Sequence, residues 1–136
     1  MANALYPKWK EALIGGGANA ALTGTVRAVL IDAADYTYSA AHEFLTSVIA
    51  GARVGTPQTL GTKTFTDGVF DAADITFPTV TGDPSEAILL YIDTGVEATS
   101  RLVAYLDTGF TGLPVTPSGG DITVAWDNGT NRIFRI

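Results

Sequence analysis

Apolar and polar positions along this chain alternate mostly with the period of a β-strand. In "TVRAVLID" (Thr25 to Asp32), Val26, Ala28 and Leu30 fall on one face and Arg27, Val29 and Ile31 on the other. "AILLYID", "SRLVAYLD" and "DITVAW" repeat the theme, and "LGTKTFTDGVFDAADITF" reads as a strand, an Asp67-Gly68 turn and a second strand. Ile122, Val124 and Trp126 alternate with Thr123, Ala125 and Asp127, and "DNGTN" offers a turn before "RIFRI". The pattern therefore predicts a C-terminal hairpin in which Phe134 and Ile136 pack beside Ile122, Val124 and Trp126. In that hairpin Ile133 and Arg135 point away.

Two stretches switch to helical spacing. "LYPKWKEALIGGG" predicts a short helix at about 6–14: Pro7 suits a first turn, Tyr6, Trp9 and Leu13 form the apolar set, and Gly15 to Gly17 close it. "SAAHEFLTSVIAGA" predicts a second helix capped by Ser39, with Phe44, Leu45, Val48 and Ile49 as its stripe. Pro78, Pro84, Pro114 and Pro117 fall between elements. Short strands in sequence, separated by turns, predict one mainly β domain over residues 1–136: an antiparallel β-sandwich, jelly-roll-like, with two short helices.

Composition narrows the chemistry. With no Cys and one His in 136 residues, disulfides, thiolate catalysis and a histidine-rich metal centre are excluded. The net charge of −6 is uneven: from Asp32 to Asp127, thirteen acidic residues face three basic ones, a net of −10, while Lys8, Lys10, Arg27, Arg132 and Arg135 lie towards the ends. An acidic middle argues against direct nucleic-acid binding, which needs a basic footprint. No long apolar run and no basic, apolar leader is present, so the expectation is a soluble, unprocessed chain without a membrane partner.

The candidate chemical motifs are weak. Asp-Thr-Gly occurs at Asp93 and Asp107, the triplet of aspartic proteases, whose two carboxylates share a proton across a cleft. Both follow an apolar run, which is also what a strand ending in a turn looks like. Asp67, Asp71 and Asp74 could offer oxygen ligands to calcium, but no glycine-centred loop closed by Glu surrounds them. His42 beside Glu43 has no marked nucleophile near it, and "GGG" and "LGTKT" lack a phosphate-binding pattern. The expectation is no enzyme, no cofactor and no metal. Tyr36, Tyr38 and Phe44 leave a carbohydrate-binding β-sandwich open as an alternative, because such modules use aromatic platforms.

"MANALYPKWKEALI", "HEFLTSVIAGARV", "TFTDGVFDAADITF", "EAILLYIDTG" and the stretch from "SRLVAYLDTG" to "NRIFRI" resemble a group of small virion-associated proteins of tailed bacteriophages. The likeness spans essentially the whole chain and is strongest from Phe65 onward. Part of that group resembles the cement, or decoration, proteins on the outer surface of icosahedral heads. The resemblance implies a structural protein made in the host cytoplasm that clamps neighbouring major capsid protein subunits and forms homo-oligomers, a dimer being favoured. A tail or fibre component is the alternative. In the cement reading, the contact surface combines the N-terminal helix, through Lys8, Trp9 and Leu13, with the C-terminal strand, through the outward Ile133 and Arg135 and through Arg132.

Overall fold

The computed structural model describes residues 3–136. In chain order the elements are β1 (Ala4–Leu5), α1 (Pro7–Gly15), β2 (Val26–Ile31), β3 (Arg53–Thr59), β4 (Thr64–Thr66), β5 (Val69–Asp71), β6 (Ile75–Phe77), β7 (Ala87–Ile92), β8 (Arg101–Leu106), β9 (Phe110–Thr111), β10 (Ile122–Trp126) and β11 (Phe134–Arg135). Single 3₁₀ turns occur at Leu45–Ser47, Ala50–Ala52 and Glu97–Thr99. The strands form three antiparallel sheets, with orders β1-β8-β7-β2-β3, β6-β10-β9 and β11-β5-β4. The domain is thus mainly β, and no sheet closes on itself.

The central strand β7 explains the largest sheet. All six residues of "AILLYI" are buried, so both faces of β7 are covered, and an unbroken apolar run is what such a position requires. β2 and β8 flank it, with Val29 opposite Leu89 and Tyr105 opposite Leu89 on its other side. One continuous core joins this sheet to the smaller ones through Phe77, Val124, Phe70 and Phe134.

The predicted first helix is present as α1. Pro7 occupies its first turn, and Gly16, at φ +70°, ends it in the left-handed conformation that glycine adopts without strain. The next amide, Gly17 N–H, donates to Ala12 O at 2.7 Å, so tightly that a Cβ on Gly17 would lie 2.9 Å from that of Ala12. The Asp67-Gly68 turn also forms. Both residues have positive φ, +53° and +77°, as a two-residue type I′ connection between β4 and β5 demands.

The second predicted helix is absent. Residues 39–52 form an irregular strap with two 3₁₀ turns, because its backbone groups find partners elsewhere in the fold. Leu45 N–H donates to Ser100 O, and Leu102 N–H donates to Glu43 O, which ties the strap to the edge of β8. The Arg53 guanidinium takes the carbonyls of Leu45 and Val48, which a helix would use internally, and holds Glu97 in a two-pronged pair at 2.8 and 3.1 Å. Ser39 makes a single turn, its Oγ accepting from Ala41 N–H.

The predicted C-terminal hairpin is also replaced. Ile122, Val124 and Trp126 do face the core, but both edges of β10 are occupied, by β6 and β9. β11 pairs instead with β5, placing Phe134 opposite Phe70. Ile133, expected to point outward, is 6% exposed, whereas Ile136, expected to pack inward, is 59% exposed.

Candidate functional site

The proposed contact residues divide sharply. Trp9 is fully buried: its indole Nε1–H donates to Ala20 O at 2.8 Å and its ring stands edge-on to Phe134, with centroids 5.7 Å apart. Trp9 and Ile133 therefore belong to this chain's own core, which corrects the expectation that they meet a partner. Lys8 is half-buried beside Glu11, at 3.5 Å, while Leu13, Arg132 and Arg135 are exposed. Arg132 donates to Asn128 Oδ1 at 3.2 Å and lies 3.8 Å from Asp71. The Trp9–Phe134 contact brings the N-terminal helix and the C-terminal strand together. These two segments expose Lys10, Leu13 and Ile14 on one side and Arg132, Arg135 and Ile136 on the other, with Glu11 beside Lys8 and Asp71 beside Arg132.

The aspartate candidates do not assemble. Asp93 follows the end of β7 and Asp107 the end of β8, and these strands are antiparallel, with Ile92 opposite Arg101 and Ile88 opposite Leu106. The two carboxyls thus sit at opposite ends of one hairpin, roughly 15–20 Å apart at the usual rise per residue, too far to share a proton within one chain. Asp93 instead accepts from Gly95 N–H and lies 2.9 Å from Arg27 Nε, a charge contact outside good hydrogen-bond geometry. Of the calcium candidates, Asp74 turns away to accept Trp126 N–H at 2.9 Å, while Asp67 and Asp71 line one surface depression in which Asp71 lies 3.8 Å from Arg132.

Among the described residues the carboxylates that do converge are Asp32, Asp35 and Asp83, each contributing an oxygen within 4.8 Å of the others. Asp32 is 7% exposed and its Oδ1 accepts Ala34 N–H, the local bond that lets Asp close β2 in a turn. Glu86 joins them from the strand side, its Oε1 accepting Ala33 N–H and its Oε2 shut off from solvent. Burial, with the negative charge of Asp32 added, holds the Glu86 carboxyl above its ordinary range despite the Ala33 amide. A carboxyl whose folded value is raised costs stability once pH exceeds its unfolded value, and the full cost is present above the folded one. Glu86→Gln keeps the acceptor for Ala33 and adds a neutral donor, so it is expected to melt a few degrees higher than the wild type at neutral pH. Thermal melts across pH check this: the gain should vanish below the ordinary glutamate range, and a pH-independent gain would assign it another cause.

Sequence spacing gave no sign of a buried chain of phenols. Tyr6 Oη and Tyr36 Oη lie 2.6 Å apart, and Tyr36 Oη lies 2.8 Å from His42 Nδ1, with the Tyr38 and Tyr105 rings packed beside them. Burial, reinforced by the Tyr36 hydroxyl, pushes the Tyr6 phenol far up, and burial also raises Tyr36 although the Tyr6 hydroxyl opposes it. Both remain neutral at ordinary pH, so the chain acts as a packed polar strut. Tyr6→Phe is expected to cost about 1–3 kcal/mol in urea unfolding, since the bond is buried and Tyr36 loses a partner. A cost indistinguishable from zero would show the Tyr6–Tyr36 bond to be dispensable.

The surface depressions are open and shallow. The one beside the C-terminal strand, about 440 Å³, has Thr64, Thr66, Asp67, Asp71, Arg132 and Arg135 among its lining residues. The one histidine meets the buried Tyr36 hydroxyl, and of the rings considered as a platform Tyr36 is buried, Tyr38 is half-buried and Phe44 is half-buried under the Arg101 guanidinium. Neither a family model nor a curated protein matches the chain.

Proposed function

We propose that this protein is a non-enzymatic structural component of a phage virion, a decoration protein that binds the outer face of the head and bridges neighbouring major capsid protein subunits. The observation that carries the reading is the joined pair of chain termini. Trp9 and Phe134 lock α1 to β11, and the two segments so joined expose cations (Lys10, Arg132, Arg135) and aliphatic side chains (Leu13, Ile14, Ile136) on a chain of net charge −6. Arginine gives directional hydrogen bonds and exposed aliphatic groups give burial, the mixture that protein interfaces use. Weak contacts of this kind gain avidity when repeated around a closed shell. The resemblance to virion-associated proteins supports the same reading, and a jelly-roll-like packing of the three sheets is the architecture that goes with it.

The test is a reconstruction of virions of the encoding phage, with and without the protein. Density on the outer head surface between capsid subunits is the expected result; density confined to the tail tube or fibres would replace this reading with the tail alternative. Charge reversal at Arg132 and Arg135 together is expected to reduce head binding at least tenfold, roughly the loss of 1.4 kcal/mol or more, while leaving the melting curve nearly unchanged. Undiminished binding would move the contact to another face.

A further inference from the structure

The sheet ordered β11-β5-β4 carries an exposed edge. β4 is the terminal strand of the order β11-β5-β4, and all three of its residues, Thr64, Phe65 and Thr66, are exposed. Exposed strand edges invite pairing with another chain, and folded proteins usually blunt them with proline, bulges, charge or brevity. The outer edge of β3 is blunted in this way: Pro57 removes a donor, Gly55 takes φ +71°, and the pairing of β2 with β3 shifts register between Ala28 and Leu30. β1, β9 and β11 are two residues long, and β6 buries Ile75 and Phe77 and runs directly into Pro78. β4 has neither proline nor bulge, and places a half-exposed phenylalanine at its centre.

We infer that the outer edge of β4 is a self-association surface whose partner is a second copy of this chain, paired antiparallel about a two-fold axis at Phe65. The sequence there is complementary to itself. In "KTFTD" (Lys63 to Asp67), antiparallel pairing centred on Phe65 sets each Thr64 against the Thr66 of a second copy and Phe65 against Phe65, and brings Lys63, just before the strand, to the side of Asp67, in the turn just after it. A one-residue slip loses both opposite-charge matches. Lys63 Nζ donates to the carbonyls of Leu22 and Gly24, which fixes the ammonium beside the strand and leaves its third N–H for a carboxylate. Asp67, in the turn that ends β4, is exposed.

The interior of the sheet is built to support that axis. Phe65 is opposite Phe70 and Phe70 opposite Phe134, with ring centroids 5.7 and 5.2 Å apart, and Trp9 continues the row into the core. Phe65, 51% exposed, is the outer end of this ladder. Pairing would extend it across the axis and cover the apolar face now open to water, as cross-strand aromatic pairs do. The two-fold closes both edges at once, so it yields a dimer and not a filament. Three residues per strand make a modest contact, suited to a weak dimer that an assembly then fixes.

The absence of native cysteine allows a direct test. Opposed residues across an antiparallel pair have Cα atoms about 4.5–5.5 Å apart, within reach of a disulfide. In the full-length protein, Phe65→Cys should cross-link to itself under mild oxidation at least about tenfold faster than Val96→Cys, an exposed site on another part of the surface, because pairing raises the local thiol concentration. Sedimentation of the wild-type chain should show concentration-dependent dimers that Asp67→Lys weakens several-fold, with melting curves reporting that each variant is folded. Dimers without faster Phe65→Cys cross-linking would locate association elsewhere and overturn the proposal, as would a strictly monomeric chain whose two cysteine variants react alike. Cross-linking of Phe65→Cys only to a different virion protein would also overturn it, since the edge would then take a foreign strand. The sedimentation and self-cross-linking outcomes are read on the purified chain and do not depend on where the protein sits in a virion.

Discussion

Trp9→Ala is expected to lower the stability of this protein by about 3–5 kcal/mol, the range for emptying a large aromatic site in a core. Trp9 is the one fully buried residue that α1 contributes, and a nine-residue helix does not hold together in water without its packing. The substitution removes the indole from against Phe134 and leaves the buried carbonyl of Ala20 without its 2.8 Å donor. Against the roughly 5–15 kcal/mol that holds a domain of this size, such a loss is a large fraction of the total. Urea unfolding followed by far-ultraviolet circular dichroism measures it. Trp9→Phe, which keeps a ring and discards the N–H, should fall between, and its residual cost separates the hydrogen bond from the packing. An alanine variant with the wild-type midpoint would mean that α1 is not anchored by this residue.

The strand content was legible because it depends on local alternation. "TVRAVLID" and "AILLYID" each read as strands, and the unbroken apolar character of β7 announces burial on both faces. What the pattern did not reveal was which strands meet. Phe134 stands opposite Phe70, not beside Trp126, because Gly109 to Thr111 and Ile75 to Phe77 had already taken both sides of β10. Such competition between distant segments leaves no mark on local spacing. The strap at 39–52 departs from its helical spacing for a related reason. Its stripe of Phe44, Leu45, Val48 and Ile49 has helical spacing, yet Arg53 and β8 offer its carbonyls and amides better-placed partners, so tertiary bonds override the periodicity. Ile49 accordingly points into solvent, 60% exposed, while Val48 is buried.

The candidate surface was half legible. The sequence shows that both terminal segments carry aromatic and cationic residues. That Trp9 and Ile133 spend their side chains inside the molecule was not legible there, since a short amphipathic segment does not say whether its apolar face meets its own chain or another. The acidic group of Asp32, Asp35 and Asp83 shows the same limit: β2 and the approach to β7 bring it together, and only the pairing of Ile31 with Ala87 makes those positions neighbours. Phe65 illustrates the converse. Its strand and turn were plain, but its place at an open edge follows from the order β11-β5-β4 alone.

Removing Ile133 to Ile136 is expected to abolish cooperative folding at room temperature. Phe134 is the middle rung between Trp9 and Phe70, and Ile133 is buried beside it. Deleting two large buried side chains costs about 2–5 kcal/mol each, a sum that reaches the whole stability of a small domain. The deletion also takes away the bonds from Ile133 N–H to Phe70 O, at 3.2 Å, and from Ile136 N–H to Gly68 O, at 2.9 Å, which hold β5 and its turn. β5 would then be left in a two-stranded ribbon with β4, an arrangement that is marginal in water. Point variants separate the core role from the contact role. Phe134→Ala should unfold at markedly lower urea, whereas Arg135→Ala, exposed and outside the ladder, should stay within about 0.5 kcal/mol of the wild type. A deleted chain that melts like the wild type would reduce this strand to a frayed tail. The opposite pattern, a folded Arg135 variant that no longer associates with heads, would divide the C-terminal segment cleanly: Phe134 for the fold, Arg135 for the partner.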